Sequence, residues 1–169
     1  MDSRAYDLPN FHAVLDKNSK TASPWLFRGG QPTDQGFDLL RSLYNVETVI
    51  SLRRDETRWE EKYLLNLGMK FIYLPLPLAL GKLSADDFRQ RMRLFLQSLK
   101  HAQRNIYVHC AEGRDRTGLM IALYRTCMQV WSLDEAYSEM VSCGYRGFAH
   151  QVILSAFKDK LYELGSCNN

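Results

Sequence analysis

The sequence predicts an α/β fold with a central, mainly parallel sheet flanked by helices. Three observations lead there: short β-branched or apolar runs at 46–52, 71–74 and 105–109, stretches of helical apolar spacing between them, and turn residues at the changeovers. Strands alternating with helices imply parallel strands joined by crossover helices, with a ligand site at the carboxyl ends of the strands.

The elements follow in order. Residues 11–15 and 25–28 are short apolar stretches around a polar, turn-rich segment, which reads as an early hairpin over about 11–28. After Gly29-Gly30-Gln31-Pro32, Thr33 can cap a helix whose apolar face is Phe37, Leu40, Leu43 and Tyr44. Val46 to Leu52 reads as a buried parallel strand, and Trp59, Tyr63 and Leu64 mark a short helix ended by Gly68. Phe71 to Leu74 is the next strand. Ser84 with Asp87 three residues on is a helix start, and Phe88, Met92, Phe95 and Leu99 give that long helix its apolar stripe. Asn105 to His109 is a third central strand, running into a glycine-containing loop and the apolar helical stretch Leu119 to Val130. Helices are expected over Leu133 to Val141 and Phe148 to Leu164, separated by Gly144.

At 169 residues, with 46% hydrophobic and 24% charged residues, the chain is sized for one globular domain, 1–169. A formal charge of +3 is too small to point to a nucleic-acid partner. The longest apolar run, Phe71 to Leu80, is far below the roughly 18 residues of a membrane span. The start Met-Asp-Ser-Arg has no hydrophobic targeting core, so a cytoplasmic location is expected, with export open if a signal was removed. Cys110, Cys127, Cys143 and Cys167 are too sparse for a disulfide scaffold and lack zinc-type spacing, which leaves a lone functional thiol to consider and no metal.

That thiol is Cys110. In His109-Cys110-Ala111-Glu112-Gly113-Arg114-Asp115-Arg116-Thr117-Gly118, five residues separate Cys110 from Arg116. A loop of this length can turn its backbone N–H groups inward on one phosphate, while a helix beginning near Thr117 aims its positive end at the same point. Gly113 allows the sharp backbone turn. Arg116 can bind two phosphate oxygens side by side, a geometry a lysine cannot supply. Inward amides, a helix terminus and an arginine all favour a thiolate at Cys110, a nucleophile able to attack phosphorus. Thr117 can donate to the departing sulfur, and His109 is placed to orient the loop. Ala111, Glu112, Gly113 and Arg114 would surround the phosphate, with Arg53 at a neighbouring strand end.

The run His-Cys-x-x-Gly-x-x-Arg-Thr-Gly resembles the signature of the protein-tyrosine and dual-specificity phosphatases. The wider pattern, from Phe27-Arg28-Gly29-Gly30-Gln31-Pro32 through Thr48-Val49-Ile50-Ser51-Leu52-Arg53, is similar to small bacterial and fungal members of that superfamily from about residue 10 onward. The resemblance implies a tyrosine-phosphatase-like fold, a single phosphatase domain with its catalytic loop at 109–118, hydrolysis through a phosphocysteine and no cofactor. Gly113 to Thr117 also resembles loops of atypical members that act on phosphoinositides or inositol phosphates, including the phosphatase-like phytases. The implied partner is a phosphorylated small molecule or a phosphoprotein; oligomeric state is left open.

One departure matters. Most such relatives carry an aspartic general acid after the strand preceding the long helix, yet Leu74-Pro75-Leu76-Pro77-Leu78-Ala79-Leu80 holds none. Asp86 and Asp87 follow, in positions that helix capping accounts for, and Asp115 stands within the loop, either turned to the leaving oxygen or paired outward with an arginine. Arg28, Arg53, Arg54, Lys82, Arg114 and Arg146 are candidates to line the mouth. A phosphomonoesterase, acting on an inositol polyphosphate or phosphoinositide ahead of phosphotyrosine, is the leading expectation. A phosphate-binding module without turnover and a rhodanese-like sulfurtransferase are the alternatives.

Overall fold

Five strands, β1 (His12–Ala13), β2 (Leu26–Gly29), β3 (Val46–Ser51), β4 (Lys70–Tyr73) and β5 (Asn105–His109), form one sheet in the order β1-β2-β5-β3-β4. The computed structural model describes residues 6–16, 24–55, 58–77, 84–102 and 105–145. β5 pairs parallel with both β2 and β3, β3 pairs parallel with β4, and β1 lies antiparallel on β2 with His12 opposite Arg28. The sheet is therefore mainly parallel, as the alternation of elements predicts. Leu74 falls just past β4, although its amide still donates to the Ser51 carbonyl at 2.9 Å.

β5 is apolar without polar alternation because both its faces are covered. Ile106 and Val108 join one core with Leu26 and Ile50 of the sheet, while Tyr107 joins a second core on the opposite face with Phe27 and Val49. The helices divide accordingly. α1 (Asp34–Ser42) and α2 (Arg58–Asn66) bury Phe37, Leu40 and Leu64 in the second core. α3 (Ala85–Lys100), α4 (Asp115–Met128) and α5 (Leu133–Ser142) bury Phe88, Met92, Phe95, Leu119 to Leu123 and Met140 in the first.

Helix ends follow side-chain chemistry. The Thr33 and Ser84 hydroxyls accept from Gly36 N and Asp87 N, each at 3.1 Å, and Ser132 forms a capping box with Glu135. The residue capping α4, Arg114, makes no side-chain hydrogen bond to the helix's own amides, so the amide end of that helix stays available to the loop before it. α4 is buried continuously from Arg116 to Arg125, which explains why it reads as apolar all round and not as a stripe. Its start corrects the sequence expectation: the helix opens at Asp115, so Asp115 and Arg116 stand in its first turn. Its end does likewise, since Val130 lies outside the helix, 90% exposed and with φ +57°. The expected helix over Phe148 to Leu164 lies outside the described residues.

The loop between β5 and α4 rests on the segment after β2. Gln31 N donates to Ala111 O at 3.0 Å, Gly30 N donates to Pro9 O at 2.7 Å, and the buried Tyr107 hydroxyl donates to Gly30 O at 2.7 Å. Gly113, at φ +72°, packs so closely on this segment that a Cβ there would overlap the Gly29 carbonyl and Gly30 N. Gly113→Ala therefore suffers both strain and overlap, and is expected to lower stability by about 2 kcal/mol or more in urea unfolding. Ser84→Ala removes an exposed cap only, and is expected to cost about 1 kcal/mol in the same measurement.

Candidate active site

The site begins where β5 ends. His109 sits in register with Gly29 of β2 and Ser51 of β3, so the next residue, Cys110, emerges at the carboxyl edge of three neighbouring strands. Its side chain is 3% exposed, and Sγ accepts a hydrogen bond from Gly113 N at 3.3 Å. That bond shows the loop curled over its own first residue, with at least one amide turned inward.

Turning amides inward turns carbonyls outward, where they need donors. The Gly113 carbonyl has two, Arg28 Nη2 at 2.8 Å and Asn10 Nδ2 at 3.1 Å. Asn10 also donates to Cys143 O at 3.0 Å, tying the loop to the end of α5, and adopts φ +51° to do so. Arg28 does not line the mouth as expected. It is 1% exposed beneath the loop, where burial lowers its affinity for its proton while the nearby Cys143, Glu139 and Cys110 oppose that shift.

Arg116, 7% exposed, reaches back across the strand ends. Its Nη1 donates to Leu52 O at 3.3 Å and to Leu76 O at 3.5 Å, so the segments after β3 and β4 fix the guanidinium. Thr117 is fully buried on the next step of α4, its hydroxyl lacking a hydrogen-bond partner among the described residues. His109 is also fully buried, with Nδ1 facing Cys110 O at 3.3 Å and Nε2 standing 2.6 Å from Glu60 Oε1.

The remaining expected residues form the rim. Ala111 and Glu112 are exposed. Arg114 pairs with Glu112 at 3.1 Å, and its side chain runs along Gly144. Arg53 donates to Gln31 Oε1 at 2.7 Å and is held by Asp55, to which its Nε donates at 2.9 Å. Each of these arginines thus has a carboxylate partner on its own loop. Asp115 is exposed at the start of α4, and its charge, second to burial, helps push the Tyr145 phenol up to about 12. Asp87 accepts from the Ser84 hydroxyl at 2.7 Å, and Asp86 pairs with Arg89 at 3.5 Å. Lys82 and Arg146 lie outside the described residues.

Two contributors escaped the sequence analysis. Glu60 looks like one more surface charge on a short helix, and its only sequence signal is its place one turn before the buried Leu64. Asn10 lies some hundred residues from the loop and carries no spacing clue. Among the other cysteines, Cys143 is free and buried.

Comparison with known proteins agrees with this geometry. A family model described as DSP-PTPase phosphatase fused to NAD+ kinase matches residues 3–153. The dual specificity protein phosphatase TpbA from two strains of Pseudomonas aeruginosa is 32% and 34% identical over 125 residues, or 73% of this chain and 53% of those proteins. The chain thus spans about half the length of the curated relatives it matches. A crystal structure of P. aeruginosa TpbA in complex with phosphotyrosine has a TM-score of 0.64 at 25% identity, covering 87% of this chain and 88% of that one. The core catalytic domain of the PP-IP phosphatase SIW14 from S. cerevisiae shares the fold, with a TM-score of 0.65 at 17% identity over 91% of this chain and 96% of that one. With a cysteine at the strand end, an arginine fixed in the first helical turn and a family model spanning nearly the whole chain, the protein belongs to the DSP-PTPase family of cysteine-dependent phosphatases.

Proposed function

We propose that the chain hydrolyses phosphomonoesters through a phosphocysteine formed on Cys110. The observation that carries this is one loop that begins with Cys110 Sγ, bonded to Gly113 N at 3.3 Å, and ends with an Arg116 guanidinium fixed by two backbone carbonyls. With Nη1 so anchored, the Nε and Nη2 edge is the one able to clasp two phosphate oxygens. The uncapped start of α4 adds its amide dipoles where negative charge gathers on the transferring phosphoryl group.

The steps balance without a cofactor. The Sγ electron pair attacks phosphorus, the bond to the leaving oxygen breaks, and that oxygen takes up a proton. Water then attacks the phosphocysteine, phosphate departs and the thiolate is restored, with the Thr117 hydroxyl as donor to the leaving sulfur. Asp115 is the candidate acid, because it stands in the first turn of α4 beside Arg116, whereas Asp86 and Asp87 stand in the first turn of α3.

For the substrate, two readings differ in charge. An inositol polyphosphate or phosphoinositide draws support from the loop resemblance and from the fold shared with SIW14. A phosphotyrosine side chain draws support from the rim, where Arg53 and Arg114 already carry Asp55 and Glu112 as partners, leaving less uncompensated charge for further phosphates. A phenol leaving group, of pKa about 10, also needs an acid less than an alkyl alcohol does. The rim therefore favours the phosphotyrosine reading, with the inositol phosphate second.

Turnover on phosphotyrosine peptides, phosphoinositides and inositol hexakisphosphate separates these readings. Wild type is expected to release phosphate fastest from the peptides and Cys110→Ser to release none; equal release by both would reject the phosphocysteine. Arg116→Lys is expected to lower kcat on the order of 100-fold or more, since the transition state depends on the bidentate grip. Asp115→Asn is expected to lower kcat at least tenfold while Asp87→Asn leaves it unchanged, and the reverse pattern would move the acid to α3.

A further inference from the structure

One side chain outside the loop has an unusual set of partners. The Asn10 amide nitrogen stands 3.1 Å from Gly113 O, 3.0 Å from Cys143 O and 3.5 Å from Glu112 O. Carbonyls only accept, so the amide must turn its NH2 edge to all three and its oxygen away from them. On that other side His12 Nε2 meets Asn10 Oδ1 at 3.0 Å and supplies the donor. Neighbours at both ends therefore fix the amide in a single orientation.

Two of those carbonyls belong to successive peptide groups of the loop. In a trans peptide the C=O and the N–H point in opposite directions. Glu112 O shares its peptide with Gly113 N, which donates to Cys110 Sγ at 3.3 Å. Gly113 O shares its peptide with Arg114 N. Asn10 and Arg28 Nη2, the latter at 2.8 Å, both draw Gly113 O outward, so Arg114 N–H faces away from these two donors.

We propose that Asn10 is a positioning residue for phosphoryl transfer, its amide setting the Gly113–Arg114 peptide so that Arg114 N–H, beside Gly113 N–H, donates to a phosphate held over Cys110. The inference rests on the phosphocysteine reading. A peptide free to rotate would carry that N–H off the phosphoryl oxygens, whereas a donor fixed beforehand meets the growing charge without rearrangement. The support of Asn10 is itself fastened. Gly30 N donates to Pro9 O at 2.7 Å, Thr33 N donates to Asp7 O at 3.2 Å, and the Phe11 ring stacks on Phe27 with centroids 5.6 Å apart. Cys143, whose carbonyl takes the second N–H, caps the end of α5, so one amide joins the loop to that helix.

Asn10 also adopts φ +51°, a region that asparagine enters more readily than most residues, and this gives a plainer reason for its presence. Substitution separates the two reasons, because Asn10→Gly keeps the backbone turn and removes the amide. The test is calorimetric titration of wild type and Asn10→Gly with tungstate, a tetrahedral oxyanion like phosphate, with urea unfolding alongside. The folded variant is expected to bind tungstate about tenfold more weakly than wild type, and to lose kcat/KM on p-nitrophenyl phosphate by about the same factor or more. A tungstate affinity within twofold of wild type would overturn the proposal and leave Asn10 as the bearer of the turn alone. If Asn10→Gly does not fold, NMR of wild type decides. Tungstate accepting from Arg114 N–H polarises the Gly113 carbonyl and strengthens the bond it takes from Asn10, so an Asn10 side-chain amide proton is expected to move downfield on saturation. An amide pair that does not move would sink the assignment. Neither tungstate measurement needs turnover. Loss of the phosphocysteine reading, through activity retained in Cys110→Ser, is thus a separate result from failure of the Asn10 assignment.

Discussion

Everything at this site depends on one backbone constraint: a loop that gives its amides to a central anion must place its carbonyls where other parts of the chain can donate to them. At Gly113 that donation comes from Arg28 on β2 and Asn10 in the N-terminal segment, at 2.8 and 3.1 Å. Ala111 O is met by the amide of Gln31 at 3.0 Å. The loop is thus a cup fixed from outside, and the residues fixing it must be buried and polar together. Arg28, almost wholly buried beneath the loop, is the clearest case. Its proton affinity is lowered by that burial, yet the Gly113 carbonyl it satisfies and the negative charge it can face at Cys110 keep a cation useful there.

The same constraint explains the two glycines of the Gly29-Gly30-Gln31 segment. A side chain at either would meet other groups of the cradle, the Tyr107 hydroxyl in one case and Ala111 O in the other. Side-chain bulk is excluded here so that two stretches of main chain can touch. Sequence, strand pairing and loop shape are consequently one problem: β2 and β5 are parallel neighbours, and the turns leaving them interlock.

Much of this could be read in the linear sequence, and what escaped did so for definite reasons. Cys110, Gly113, Arg116 and Thr117 sit within one short run whose spacing carries its own chemistry, and β3, β5 and α3 announce themselves by apolar pattern. The first turn of α4 was hidden because Asp115 and Arg116 are polar residues in a helix otherwise recognised by its apolar body. Asn10 and Glu60 were hidden because each acts across a large gap in the chain, and Arg28, read as a mouth residue, proves instead to donate to the Gly113 carbonyl across a similar gap. Arg53 and Arg114 were visible as charges, but their pairing with Asp55 and Glu112 depends on how each loop turns.

The two anchors of Arg116 make three separate strand ends answer to one another. Its guanidinium bridges the carbonyls of Leu52 and Leu76, and Leu76 N in turn donates to Leu52 O at 3.1 Å. In the proposed mechanism an incoming phosphate meets an arginine already locked to the frame of the sheet, with little side-chain freedom left to lose on binding. The segment after β4 then has work beyond carrying an acid. By holding Leu76 in place it sets the angle of Arg116, so in the proposed mechanism the stretch Leu74-Pro75-Leu76-Pro77, without a single carboxylate, acts as a stiff strut for the clamp.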